Sequence, residues 1–129
     1  MRERLLVAGS GGQGIISVGR LLATVAVRHI PHVTFFPAYG AEVRGGTSHC
    51  QVILSSAEIA SPVAEAFDSM IIMNQASADR FCAQIAEGGL TILNSSFCRT
   101  PPETTPLCVD AAAAAREAGD LRTSNFVML

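Results

Sequence analysis

The alternation of apolar and polar positions divides the chain into short elements. Leu5 to Ala8 is an unbroken apolar run that stops at Gly9-Ser-Gly-Gly-Gln-Gly14, the pattern of a buried strand running into a tight turn. From Ile15 the apolar positions recur at Ile15, Gly19, Leu22 and Ala26, widened by Ile16, Ala23 and Val27, which predicts an amphipathic helix. Gly19 and Ala23 would let this helix lie close to a sheet, and Pro31 ends it because proline cannot continue the hydrogen-bond ladder. Val33 to Phe36 is β-branched and aromatic and predicts a second strand, cut off by Pro37. Thr47 to Ser55 predicts a third, antiparallel to the second because the connection is too short for a crossover.

Further on, a turn around Ser61-Pro62, with room for one turn of helix, leads into a fourth strand over Asp68–Met73. Ser77 is the predicted N-cap of a helix whose apolar face is Ala78, Phe81, Cys82, Ile85 and Ala86, with Gly88-Gly89 as its stop. Leu90–Leu93 predicts a fifth strand, residues 100–106 a loop, Leu107–Val109 a sixth strand, and Ala111–Ala118 a helix. Thr123 is the expected cap of a last helix that begins in Ser124-Asn-Phe-Val-Met-Leu129. Strands alternating with helices give an α/β fold: a three-layer α/β/α sandwich around a mixed, mostly parallel sheet, Rossmann-like in plan.

Composition narrows the function classes. One domain over residues 1–129 is expected, with 49% hydrophobic residues to fill a single core. The net charge of −2 argues against a nucleic-acid partner. The basic residues are all arginine, nine of them, so Schiff-base chemistry and a P-loop lysine are excluded. Four cysteines stand apart without a CxxC pair and read as core thiols in a reducing compartment. No signal peptide is evident at Met1-Arg-Glu-Arg4, and no apolar run in the sequence approaches the ~20 residues of a membrane span. A cytoplasmic protein without membrane contact is expected.

Two loops carry the candidate chemistry. Gly9, Gly11, Gly12, Gln13 and Gly14 meet the G-x-G-x-x-G spacing between a strand and a helix. There, missing side chains and unpaired amides at the positive helix end suit a phosphate. The alternative is a bare structural turn. A dinucleotide site also needs an acidic residue ~20 positions on, and none occurs between Glu3 and Glu42. An NAD(P)-dependent reductase is therefore the weaker reading. The second loop gathers Tyr39, Glu42, Arg44, Gly45, Gly46, Thr47 and Ser48, which can bring a guanidinium fork, hydroxyls and bare amides to one anion. Its plain alternative is a turn closed by a Glu42–Arg44 pair. His29, His32 and the neighbours His49-Cys50 offer neither metal-ligand nor nucleophile spacing, so no catalytic residue and no metal ligand is expected in this chain.

Gly11-Gly-Gln-Gly14, Tyr39-Gly-Ala-Glu-Val-Arg-Gly-Gly-Thr-Ser48, Ala60-Ser-Pro62 and Met73-Asn-Gln75 together resemble, in order and spacing, the gamma subunit of 2-oxoacid:ferredoxin oxidoreductases. The resemblance covers essentially the whole chain, and the wording is most similar to the bacterial 2-oxoglutarate (KorC-type) branch. It implies the fold of domain III of pyruvate:ferredoxin oxidoreductase and coenzyme A close to the two loops. It also implies a complex in which alpha and beta subunits, with a ferredoxin-like delta subunit in some cases, hold thiamine diphosphate, Mg2+ and [4Fe-4S] clusters and pass electrons to ferredoxin. Gly9, Gly11, Gly12, Gln13, Gly14, Tyr39, Glu42, Arg44, Gly45, Gly46, Thr47 and Ser48 are then the expected coenzyme A contacts. Family members run further than Leu129, so either a truncated C-terminus or a short natural form is expected. A purely structural subunit is the third reading.

Overall fold

The computed structural model describes residues 1–38, 47–101 and 104–129. Strand β1 (Arg2–Ser10) leads into helix α1 (Ile15–Ala26), followed by β2 (His32–Ala38), β3 (Thr47–Ser55) and β4 (Phe67–Ile72). Helix α2 (Gln75–Phe81) runs through a 3-10 turn into β5 (Ile85–Asn94), and β6 (Leu107–Val109), α3 (Ala111–Glu117) and α4 (Ser124–Val127) complete the described elements. None of the described helices is long and apolar enough to cross a membrane.

The strands form one sheet in the order β2-β3-β1-β4-β5-β6. β1 pairs in parallel with β4, β4 with β5 and β5 with β6, whereas β3 is antiparallel to both β1 and β2. Among the described strands β3 alone is reversed, so the expectation of a mixed, mostly parallel sheet holds. Side chains alternate across each strand and build a core on each face. Leu6, Ala8, Met70 and Ile72 pack with Ala78, Phe81 and Cys82 of the α2 layer. Val7 and Ile71 pack with Ile15 and Val18 of α1, Ala111 of α3 and Met128 after α4.

The structure departs from the expected elements at several points. Pro37 does not end β2 but lies inside it, opposite Cys50, which the sheet tolerates because β2 is an edge strand. The helix expected to run to Gly88-Gly89 stops at Phe81, and Ile85–Gly89 belong to β5. Ile85 still packs on the α2-side core, so its place in a helical repeat and its place on a strand face serve the same burial. Gly88 (φ 73°) and Gly89 accompany an irregularity in the β4–β5 register, and a Cβ on Gly89 would stand 2.9 Å from the Asp68 carbonyl. The caps also differ. Asn74, not Ser77, caps α2 by accepting from the Ser77 amide at 3.0 Å, whereas Thr123 holds the expected N-cap position of α4 but turns its hydroxyl to the Asp120 carbonyl and caps no amide. No helix forms around Ser61-Pro62.

Candidate anion-binding site

The β1–α1 turn closes on itself. The Ser10 amide donates to Gln13 Oε1 at 2.8 Å and the Gln13 amide to the Ser10 carbonyl at 3.3 Å. Gly12 (φ 85°) and Gly14 (φ 71°) occupy the left-handed region, where a Cβ is disfavoured. Gly9 is required by proximity: an added Cβ would stand 2.6 Å from Gln13 Oε1 and 2.9 Å from Met73 Cβ. Gly14 is the N-cap residue of the 12-residue α1 and contributes no side-chain cap. Among the described residues, the amides of Gly11, Gly12, Gly14 and the first turn Ile15–Ser17 find no protein acceptor.

These amides border a cavity of about 350 Å³, lined by Ser10, Gly11, Gly12, Gly14, Ile15, Ile16, Ser17, Ala38 and Ser48. None of the described lining residues carries a charge, so among them the helix dipole and the open amides supply the positive potential. The start of β3 is brought here by its pairing with β1, Gly9 opposite Ser48 and Ser10 opposite Thr47. Ser48 reaches the cavity, but Thr47 takes the other direction: its Oγ1 accepts from Arg80 Nη1 at 2.7 Å. Arg80 in turn lies over the Phe81 ring at 4.9 Å.

Of the expected site residues, Gly9, Gly11, Gly12, Gly14 and Ser48 therefore converge, Gln13 locks the turn, and Thr47 faces Arg80. Tyr39, Glu42, Arg44, Gly45 and Gly46 lie outside the described residues. Two residues of this neighbourhood were not among the expected ones. Arg80 reaches Thr47 from α2, and Asn125 Nδ2 donates to the Gly14 carbonyl at 3.3 Å. Asn125 closes the polar stretch Thr123-Ser-Asn125 ahead of the apolar Phe126–Leu129, and nothing in that pattern singles it out.

Other candidates have structural roles. Within Met73-Asn-Gln75, Asn74 caps α2, and Gln75 accepts from the Arg99 amide at 2.7 Å while donating to Asp79 at 2.8 Å. Burial pushes the Cys50 thiol up to about 12. Burial, with smaller contributions from Cys82, Asp79 and Cys108, pushes Cys98 to about 11. Neither is a thiolate near neutrality. Among the described residues no three His, Cys, Asp or Glu side chains converge as a metal-ligand set.

The model of the family described as pyruvate ferredoxin/flavodoxin oxidoreductase matches residues 4–129. The chain is 38% identical over 127 residues to the ketoisovalerate oxidoreductase subunit VorA of Methanothermobacter thermautotrophicus, covering 98% of this chain and 27% of that protein. It is 31% identical over 101 residues to the 2-oxoglutarate synthase subunit KorC of Methanocaldococcus jannaschii, covering 78% of this chain and 54% of that one. It thus spans about half or less of the length of these curated relatives. Among solved structures it superposes with a TM-score of 0.84 and 26% identity on 2-oxoglutarate:ferredoxin oxidoreductase from Magnetococcus marinus with 2-oxoglutarate, coenzyme A and succinyl-CoA bound, covering 99% of this chain and 23% of that one. The gamma subunit of a keto/oxoacid ferredoxin oxidoreductase from Geobacter sulfurreducens shares the fold at a TM-score of 0.82 and 24% identity, covering 98% of this chain and 71% of that one. Glycine turn, sheet order and family match agree, and the chain belongs to the pyruvate ferredoxin/flavodoxin oxidoreductase family.

Proposed function

We propose that the chain is the gamma-type part of a 2-oxoacid:ferredoxin oxidoreductase and that its glycine turn holds the phosphates of coenzyme A. The observation that carries this reading is the set of amides at Gly11, Gly12, Gly14 and Ile15–Ser17, open toward a cavity of about 350 Å³. Coenzyme A presents a pyrophosphate and a ribose phosphate, and such anions are stabilised by aligned amides at a helix N-terminus. A superposable relative contains coenzyme A, which supports the same ligand here. The chain's own contribution is binding and orientation: Gln13 keeps the turn closed, and Ser17 and Ser48 line the cavity. Tyr39, Glu42, Arg44, Gly45 and Gly46 are proposed to complete the contact, and Thr47 to support it through Arg80.

Decarboxylation and electron transfer need thiamine diphosphate, Mg2+ and [4Fe-4S] clusters, which we assign to alpha, beta and delta partners, with ferredoxin as acceptor. Motif wording favours 2-oxoglutarate as substrate, and the relative at 38% identity introduces ketoisovalerate as its competitor. Four free cysteines accord with a cytoplasmic setting.

The test is reconstitution with the alpha and beta partners. The chain alone should show no turnover, and the complex should reduce ferredoxin only when a 2-oxoacid and coenzyme A are both present. Comparing 2-oxoglutarate with ketoisovalerate decides the branch. Gly14→Asp should raise the KM for coenzyme A, because a carboxylate in the turn repels the phosphates. Turnover by the lone chain, or saturable binding of NAD(P) in place of coenzyme A, would overturn the reading. A Gly14→Asp complex that fails to assemble with no change in coenzyme A affinity would leave a structural subunit.

A further inference from the structure

The glycine turn is held from the far end of the chain. The Gly14 carbonyl accepts two hydrogen bonds, one from the Val18 amide at 3.1 Å and one from Asn125 Nδ2 at 3.3 Å, across 111 positions. Asn125 lies on α4 and is only 5% exposed. Its amide sits so close to Gly14 that a Cβ added there would collide with it. Because Nδ2 is engaged, the orientation of the amide is set, and Oδ1 is left buried without a donor.

A buried acceptor without a partner lowers stability, so an apolar residue of the same shape would fold at least as well. The hydrophobic docking of this segment is provided by Met128, which enters the α1-side core. Asn125 adds the bond to Gly14. Gly14 turns the backbone, at φ 71°, from the glycine loop into the first turn of α1. The direction of the open amides on either side depends on this peptide.

We propose that Asn125 is the positioning residue of the anion cradle, clamping the Gly14 carbonyl so that the open amides of Gly11, Gly12, Gly14 and Ile15–Ser17 are aligned before the ligand arrives. The identity of that ligand as coenzyme A rests on the reading above, but the clamp does not. Pre-alignment raises affinity because less ordering remains to be done on binding, and the α3–α4 end of the chain thereby tunes a site formed at its beginning.

Two variants in the assembled complex test this. Asn125→Leu removes both amide groups while filling similar space. Asn125→Asp keeps the shape but sets an acceptor against the Gly14 carbonyl. Both should raise the KM for coenzyme A roughly five- to tenfold, the weight of one hydrogen bond. The kcat at saturating coenzyme A and the KM for the 2-oxoacid should stay at wild-type values. Amide hydrogen exchange at Val18, measured without ligand, should quicken in both, and Asn125→Leu should melt no lower than wild type.

Unchanged exchange at Val18 together with an unchanged KM for coenzyme A overturns the clamp. So does a loss of kcat and melting temperature in both variants with that KM unmoved, which would make Asn125 a packing residue. Faster exchange, with a KM for coenzyme A that neither these variants nor Gly14→Asp alters, upholds the clamp and overturns coenzyme A as the ligand.

Discussion

Gly19 on α1 lies directly against Cys50 on β3. A methyl group added to Gly19 would run into the Cys50 sulphur and stand 3.0 Å from Phe35 Cε2. Cys50 is fully buried, with its thiol directed at the Ile15 carbonyl at 3.6 Å. This contact sets how close α1, and with it the glycine turn, comes to the sheet.

Gly19→Ala should therefore lower stability by about 1–3 kcal/mol through overpacking, although alanine is the better helix former by about 1 kcal/mol. Pairing it with Cys50→Ala should recover much of the loss, since the two sites share one contact. Urea unfolding of the four proteins checks this. A single variant as stable as wild type would show that the α1–β3 spacing yields easily.

Gly12 and Gly14 both have positive φ, but only Gly14 is crowded, by Asn125, whereas nothing lies within 4 Å of a Cβ at Gly12. Gly12→Ala should cost about 1–2 kcal/mol, the strain of a left-handed alanine. Gly14→Ala should cost more, because the clash with Asn125 is added to that strain. Equal losses in denaturant titration would contradict the crowding.

Arg4 and Asp68 form a forked ion pair between β1 and β4, with Nε–Oδ2 at 2.9 Å and Nη2–Oδ1 at 2.7 Å, and the Arg4 amide also donates to Oδ2 at 2.9 Å. The hydrogen bonds from Arg4 hold the Asp68 carboxyl below its ordinary value of 3.8, against the opposing effect of burial. A carboxyl depressed in the folded state stabilises at pH above its unfolded value, and that stabilisation is lost as pH falls through the folded value. Asp68→Asn should thus melt lower than wild type near neutrality, with the gap closing below about pH 4. A gap independent of pH would mean that the pair acts through shape alone.

Thiol labelling should be ordered by burial. With Cys50 near 12 and Cys98 near 11, the Cys50 thiolate fraction at pH 8 is on the order of 10⁻⁴. Exposed Cys108 should be alkylated first and Cys50 only on unfolding, as read by peptide mass spectrometry. Rapid labelling of Cys50 in the folded chain would reveal an opening of the α1–β3 contact.

Helix α2 ends at Phe81, short of its apolar periodicity. Ala78, Phe81, Cys82 and Ile85 fit one helical face, yet Ile85 reaches the same core from a strand. Periodicity reports which side chains are buried, and a short apolar run satisfies either geometry. Pairing with β4 decided between them, and local propensity cannot register a partner that lies elsewhere in the chain. Pro37 is accommodated inside β2 for a similar reason: its tolerance depends on β2 being an edge, which is a property of the sheet.

Strand β1, the glycine turn and α1 were legible because their signals are local: an apolar run, glycines where the backbone needs positive φ, and a 3.6-residue stripe. The motif wording that marks the family is equally local. Only the folded sheet set Ser48 beside the turn and aimed Thr47 at Arg80, because antiparallel register is settled between strands. Asn125 came to Gly14 only through the docking of α4 by Met128, a contact across 111 positions. Hydrogen bonds of that span follow from how layers pack, and spacing along the chain carries no trace of them.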